Sequence, residues 1–367
     1  MLQPSRRLGE TGRSGDPGRP GGARLRTRRR NVSQSGAERP EVGTTSLDVT
    51  ARDIDSLCER AIAFAETATG RTVSRVEAIT ADSYSHTTFK VHLDGPPHAV
   101  AVQFARRSPN SVATSAALLE HMAGHLAVPE VLHLVDTDDK VPPALVTTWL
   151  TGRSLNRLLP DLPGAELDEL AQAVAETAEV IWTQQLPVPG AIAPGLTVTP
   201  RALPFAAAID AQLHDQLFDT PGGQALGKVV REGLWHTWQS DRPQVEQVER
   251  DSVLVHGDLA ARNLLVSRGD SGNWQISVLD WEFAVSGCHL ADVGHLLRPY
   301  PFAPPRYLRA LTDRLRDQGR LARDDWRVIA WALDLTALTG PLAHGPGHPD
   351  NDAVTNLITA RPVGPPV

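Results

Sequence analysis

The feature that most constrains this chain is the run "VLVHGDLAARNLLV" at 253–266, where two apolar triplets enclose the eight residues 256–263. Triplets of that kind read as short buried strand pieces, and buried backbone has to find hydrogen-bond partners. A polar loop clamped between them is held rigidly, so His256, Asp258 and Asn263 keep fixed positions relative to one another. A further apolar strand at 275–281, "QISVLDW", stays apolar until Asp280, which places that carboxylate at a strand end and off any solvated face. A fold that presents such a loop needs strands at its centre, whatever surrounds them.

The surroundings divide into two periodicities. Residues 48–150 open with helical spacing over 53–69 behind an acidic start. Alternating segments follow at 87–93 ("TTFKVHL") and 98–105 ("HAVAVQFA"), then a helix at 112–126 and strands in "VPEVLHLVDT" and "PALVTTWL". This predicts a small antiparallel-sheet lobe with a leading helix and one inserted helix. Residues 151–345 turn mainly helical, at roughly 165–184, 204–218, 223–240, 305–318 and 324–340, interrupted by the loop run and the 275–281 strand. The expected class is α+β with two lobes, a sheet N-lobe and a helical C-lobe, followed by a C-terminal tail at 346–367.

Residues 1–47 are rich in Gly, Pro and Arg and nearly lack large apolar side chains, which predicts a disordered tail. Ten arginines against four acids give that segment +6; with −7 for the whole chain, residues 48–367 carry −13. An acidic body argues against a nucleic-acid surface and suits a cationic small molecule. No apolar run approaches the roughly 20 residues of a membrane span. Cys58 and Cys288 fit neither a metal spacing nor a disulfide framework, so a reducing cytoplasm is the expected setting.

Asp258, Asn263 and Asp280 form an ordered set suited to phosphoryl transfer. That reaction needs an acceptor hydroxyl positioned, its proton accepted, and magnesium held against phosphate oxygens. On one rigid loop Asp258 can face the hydroxyl while Asn263, five residues on, faces a metal. Asp280, seventeen residues further, supplies a second oxygen ligand. Magnesium keeps several waters, so one Asn and one Asp suffice beside phosphate. His256 is expected to orient the loop through a backbone hydrogen bond and not to do chemistry.

The segment "HGDLAARNLLV…ISVLDWEFAVSGCHLADVGHLL" resembles the aminoglycoside phosphotransferase and choline kinase family of small-molecule kinases, and the likeness runs more thinly over roughly 70–340. The resemblance implies a protein-kinase-like fold with ATP and Mg2+ in the cleft between lobes. Asp258 would then be the base, Asn263 and Asp280 the magnesium ligands, and Glu282 a supporting acid. "PALVTTWLTGRSL" looks like the family's hinge, which brings Thr147 and Trp149 to the nucleotide. Asp292 matches an acidic position that supports the catalytic loop; capping a helix N-terminus is the alternative use of the same residue. Tyrosine protein kinases have a similar loop, but an arginine stands there in place of Gly257, and only eleven residues separate Asp280 from Asp292, too few for a peptide-docking segment. The acceptor is therefore expected to be small.

The sheet lobe departs from the family pattern. Gln103 falls where the phosphate-clamping lysine or arginine is expected, and Ser115 near where its glutamate partner is expected, with Glu120 five residues on. Arg106, Arg107 and Lys90 are the alternative cations, each reading more simply as part of a solvated strand edge. The covering loop at 81–91 has no glycine and offers Ser85 and His86 as phosphate-side donors. These departures keep a second function open, a kinase-like nucleotide-binding scaffold with weakened transfer. Glu282, Asp324, Asp325 and Asp334 are the acids available to a cationic acceptor, with Trp326 and Trp331 at spacing that suits either a binding site or ordinary core.

Overall fold

A computed structural model of the protein describes residues 51–79, 86–106, 109–136, 142–269, 271–298 and 303–344. The expected tails at 1–47 and 346–367 lie outside these residues, as do residues 81–85 of the covering loop, Ser85 among them, and Arg107.

The sheet lobe comprises α1 (Ala51–Thr69), β1 (Val73–Ile79), β2 (His86–Leu93), β3 (Ala99–Ala105), α2 (Pro109–Met122), β4 (Val131–Val135) and β5 (Ala144–Thr148). Its five strands run antiparallel in the order β1-β2-β3-β5-β4. Strand alternation puts Phe89, Val91, Val100, Val102, Phe104 and Val146 on one face, where they pack with Ala61 and Ala65 of α1 into a separate core. Each such side chain contributes about 1.5–3 kcal/mol on burial. By the same alternation the opposite face carries His86, Thr88, Lys90, Ala101, Gln103 and Thr147, with Thr88 opposite Gln103 and Lys90 opposite Ala101.

The helical lobe contains β6 (Arg153–Ser154), α3 (Leu155–Leu158), α4 (Gly164–Trp182), β7 (Gly190–Ile192), β8 (Val198–Pro200), α5 (Phe205–His214) and α6 (Pro221–Ala225). It continues through α7 (Lys228–Glu246), β9 (Val253–Val255), β10 (Leu264–Arg268), β11 (Trp274–Val278), β12 (Val285–Gly287), α8 (Leu290–Leu296), α9 (Pro305–Asp317) and α10 (Trp326–Thr339). Trp182, Trp238, Trp281 and Tyr307 are buried in one core that also takes in Leu118 and Met122 of α2. Trp326 and Trp331 are buried in that core too.

Three local expectations change. The helix expected at 223–240 is two helices, because Gly227 adopts a left-handed φ of 79° that ends the first; the second then runs on to Glu246. The strand expected to reach Trp281 stops at Val278, because Asp280 has φ 63° and cannot continue a pleat. The two triplets around the polar loop enter different sheets: β9 joins β8-β7-β12-β9, whereas β10 joins β11-β10-β6. The first of these sheets has no counterpart in the sequence reading, since three-residue strands are too short to display alternation. No helix among the described residues is long and apolar enough to cross a membrane.

Candidate active site

The loop from β9 to β10 folds on itself. The Ala260 amide donates to the Asp258 carbonyl at 2.7 Å, and the Asn263 amide donates to the Ala260 carbonyl at 2.9 Å. Asn263 Nδ2 donates to the Asp258 carbonyl and to Asp258 Oδ2, at 2.9 and 2.8 Å. That fixes the amide's orientation and leaves Asn263 Oδ1 as an acceptor. The Leu279 amide donates to the Asn263 carbonyl at 2.9 Å, which ties the residue before Asp280 to the loop. Arg262, half exposed, donates to Asp258 Oδ2 at 2.6 Å. This ion pair, made within a loop and not on a helix face, has no counterpart among the sequence expectations.

Beneath the loop lies Asp292, fully buried. It accepts from the amides of His256 and Gly257, each at 2.9 Å, and from Trp182 Nε1 at 3.0 Å. α8 has no side-chain cap, so the carboxylate is spent on the loop and not on its own helix. His256 is also fully buried and packs on Trp281 with ring centroids 4.8 Å apart. Its Nε2 contacts the Leu279 carbonyl at 2.9 Å while Nδ1 accepts from the Asp258 amide at 3.3 Å, which requires the proton on Nε2. Burial lowers its pKa, against the pull of Asp292 and Asp258, so the ring is a neutral strut between the loop and the Asp280 segment. Gly257 has φ 78°, and a Cβ there would lie 2.1 Å from the Phe283 carbonyl oxygen. No arginine fits at that position.

Asp280 and Glu282 follow β11 and meet His86, the first residue of β2. His86 Nδ1 lies 4.0 Å from Asp280 Oδ1, and Nε2 lies 3.6 Å from Glu282 Oε2. The side chains of His86 and Glu282 are buried, that of Asp280 only partly. Burial and the nearby Asp258 carboxylate raise the Asp280 pKa, with Arg262 opposing. Burial, then the Arg106 charge, lowers the His86 pKa to about 4. Asn263 Oδ1 with the oxygens of Asp280 and Glu282 is a hard-donor set of the kind magnesium takes, so the residues present fit that ion.

Among the described residues, the sheet side of the cleft carries no Lys–Glu clamp. Gln103 is half-buried between Thr88 and Leu145, Ser115 is buried, and Glu120 is exposed. Two of the alternative cations are not at solvated edges. Lys90 Nζ stacks 4.6 Å from the Trp149 ring centroid. Arg106 is half-buried and donates from Nε to Thr87 Oγ1 at 2.8 Å, close enough to His86 to depress its basicity. Thr147, opposite Ala101, is buried. Among the candidate acceptor acids, Asp334 is excluded: it is fully buried and bound by Arg298 Nε at 2.8 Å, with His295 Nε2 3.5 Å away. Asp325 pairs with Arg323 at the surface and Asp324 is exposed.

A fold with a sheet lobe, a helical lobe and one Asp–Asn loop beside an Asp that closely follows a strand is that of a small-molecule kinase. The profile of the phosphotransferase enzyme family matches residues 76–332, and the chain belongs to that family, as the sequence resemblance implied. Among solved structures, a thermostable mutant of aminoglycoside phosphotransferase APH(4)-Ia without ligand superposes with a TM-score of 0.60 at 19% identity, covering 82% of this chain and 97% of that one. The same enzyme's ternary complex with ADP and hygromycin B gives 0.59 at 19%, covering 82% and 96%. A GDP and kanamycin complex of an APH(2")-III-type enzyme gives 0.61 at 16% identity, covering 82% and 96%. At these identities the structures establish the fold. No curated protein sequence matches the chain. The protein is a phosphotransferase acting on a small molecule.

Proposed function

We propose that the protein transfers the γ-phosphate of ATP, with Mg2+, to a hydroxyl of a small, polar, cationic acceptor of aminoglycoside-like or amino-alcohol type. The observation that carries this reading is the bond from Asn263 Nδ2 to Asp258 Oδ2, which builds the base and a metal ligand into one unit. Asp258 accepts the hydroxyl proton, Asn263 Oδ1 and Asp280 hold the metal, and Glu282 backs them. Bound magnesium neutralises charge on the phosphates. Arg106, which follows β3, bonds Thr87 and lies close enough to His86 to lower its basicity, supplies the cation that Gln103 lacks. Thr147 and Trp149 lie on the hinge side, where the base of the nucleotide belongs. Complexes of similar folds with ADP and hygromycin B, and the acidic balance of residues 48–367, favour the donor and the acceptor class.

A second reading, a nucleotide-binding scaffold with weakened transfer, is favoured by the missing Lys–Glu clamp at Gln103 and Ser115. The test is the melting temperature with and without Mg-ATP, for wild type beside Asp280→Ala. Ligand at 100 times its Kd adds about 2.7 kcal/mol of stability. The expected result is a magnesium-dependent shift lost in the variant, followed by turnover in an acceptor screen. A shift without turnover of any acceptor leaves the scaffold; no shift at millimolar Mg-ATP overturns both.

A further inference from the structure

A cavity of about 180 Å³ lies where α2 of the sheet lobe meets the helical lobe. Its walls include Leu118 and His121 of α2, Gln184 just past α4, Ile192 of β7, Leu196 in the turn from β7 to β8, and Leu254 of β9. None of the side chains assigned to the phosphotransfer cleft lines it. Leu118 and Leu254 are each 1% exposed whereas His121 is exposed, so the cavity runs from the surface into the core. His121 Nε2 lies 3.2 Å from Gln184 Oε1, a contact that crosses from one lobe to the other at its mouth. The backbone shapes another wall. Leu196 has φ 59°, a conformation that a leucine adopts only where its surroundings impose it. Its turn is closed by the Leu196 amide donating to the Ala193 carbonyl at 3.0 Å and the Ala193 amide donating to the Thr197 carbonyl at 2.8 Å.

Size and lining define the occupant. A cavity of about 150 Å³ walled by aliphatic side chains is enough to take up benzene, and Leu118, Ile192, Leu196 and Leu254 supply such walls here. Among the described residues, no Asp, Glu, Lys or Arg lines the cavity, so a charged ligand would lose hydration without compensation. The polar handle is His121. Gln184 Nε2 donates to the Val180 carbonyl at 3.3 Å, which leaves Oε1, a pure acceptor, toward the imidazole. The proton of that contact is therefore on His121 Nε2, and the neutral ring keeps Nδ1 as an acceptor. We propose that this cavity is a second binding site, separate from the phosphotransfer cleft, for a small uncharged ring compound bearing one O–H or N–H donor. Its occupant touches α2, which packs on β3, and β9, which leads into His256 and Asp258. The site goes beyond the phosphotransfer reading and does not depend on it.

para-Fluorophenol is the probe, titrated into the full chain without nucleotide and followed by fluorine NMR. The expected result is saturable binding at one site with a Kd on the order of 1 mM, the range open to a ligand of this size. Leu196→Trp fills the cavity from its half-buried wall and should abolish saturable binding. Ile192→Phe serves the same purpose if that variant does not fold by circular dichroism. His121→Phe keeps a ring at the mouth and removes the acceptor. It should lower para-fluorophenol affinity roughly fivefold, the scale of one neutral hydrogen bond, and leave fluorobenzene binding unchanged. Absence of saturable binding in the wild type, or undiminished binding in a folded filled variant, overturns the site. Equal affinity of wild type and His121→Phe for para-fluorophenol overturns the donor-bearing class assigned to the ligand.

Discussion

Asn263 Nδ2 bonds both the backbone carbonyl and the side-chain oxygen of Asp258, at 2.9 and 2.8 Å, so neither residue can move without the other. If Asp258 is the base and Asn263 a metal ligand, as proposed, the two should fail in distinguishable manners. Asp258→Asn removes the proton acceptor and leaves Asn263 Oδ1 in reach of a metal. Turnover of an acceptor found by screening should fall roughly 100-fold or more, while the Mg-ATP melting shift persists. Asn263→Ala should lose both. Equal turnover in Asp258→Asn and wild type would remove Asp258 from the chemistry.

The proposed phosphate clamp could be carried by Arg106 or by Gln103, and the two are separable by substitution. With Arg106 carrying the charge, Arg106→Gln should weaken Mg-ATP binding about tenfold or more and leave adenosine binding unchanged, because only the phosphates feel the guanidinium. Gln103→Ala should change Mg-ATP affinity by much less. Calorimetric Kd values for the two nucleotides in each variant decide it. The reverse order of effects would return the clamp to β3.

Gly257 is a backbone requirement. With φ 78° and a Cβ position 2.1 Å from the Phe283 carbonyl, Gly257→Ala should destabilise the protein by about 3 kcal/mol or more. Chemical denaturation with an unchanged m-value is the measurement. A loss under about 0.5 kcal/mol would mean the loop relaxes freely, contrary to its hydrogen bonding.

Asp292 offers the sharpest separation of fold from chemistry at the loop. Asp292→Ala strands three buried donors, the His256 and Gly257 amides and Trp182 Nε1. At about 1–3 kcal/mol for each unsatisfied group, partly recovered by water, a loss of about 3 kcal/mol is expected. A variant as stable as wild type would show that the loop does not depend on this carboxylate.

His86 should contribute a pH dependence of definite sign to the protein's stability. Its pKa is about 4 when folded, below the ordinary value of 6.5. The unfolded chain therefore binds the extra proton between these limits, so the His86 contribution to stability rises with pH from about 4 to 6.5, against the opposite slope of Asp280, whose pKa is raised to about 6 in the folded state. For a partly screened group of this kind the contribution is about 1–3 kcal/mol across the window. His86→Gln should flatten that part of the profile, read from denaturation midpoints at pH 4.5 and 7. An identical slope in the variant would assign the titration elsewhere.

Sequence alone went furthest where contacts are local. Asp258 and Asn263 are five residues apart, and the pattern of apolar triplets showed the loop between them to be clamped. The sheet lobe was legible because β2 and β3 alternate cleanly over seven or eight residues. The three-residue strands β7, β9 and β12 carry too little pattern to reveal their sheet. Asp292 lies 36 residues from His256 and 110 from Trp182, separations at which no spacing rule speaks. Its two uses, loop support and helix cap, could be told apart only by seeing where the donors are.

The sequence by itself determined the chemistry on offer: an Asp–Asn loop, a following Asp-Trp-Glu, no lysine on the third strand, an acidic body. Those are properties of residue types and short spacings, which survive without a fold. The tertiary structure decided which charges share the cleft. It sent Asp334 into the core against Arg298, turned Glu120 to solvent, and brought Glu282 to His86 across the two walls. The reason is that burial and long-range electrostatics depend on how helices and sheets pack, and a carboxylate's partner is chosen by that packing and not by its neighbours in sequence.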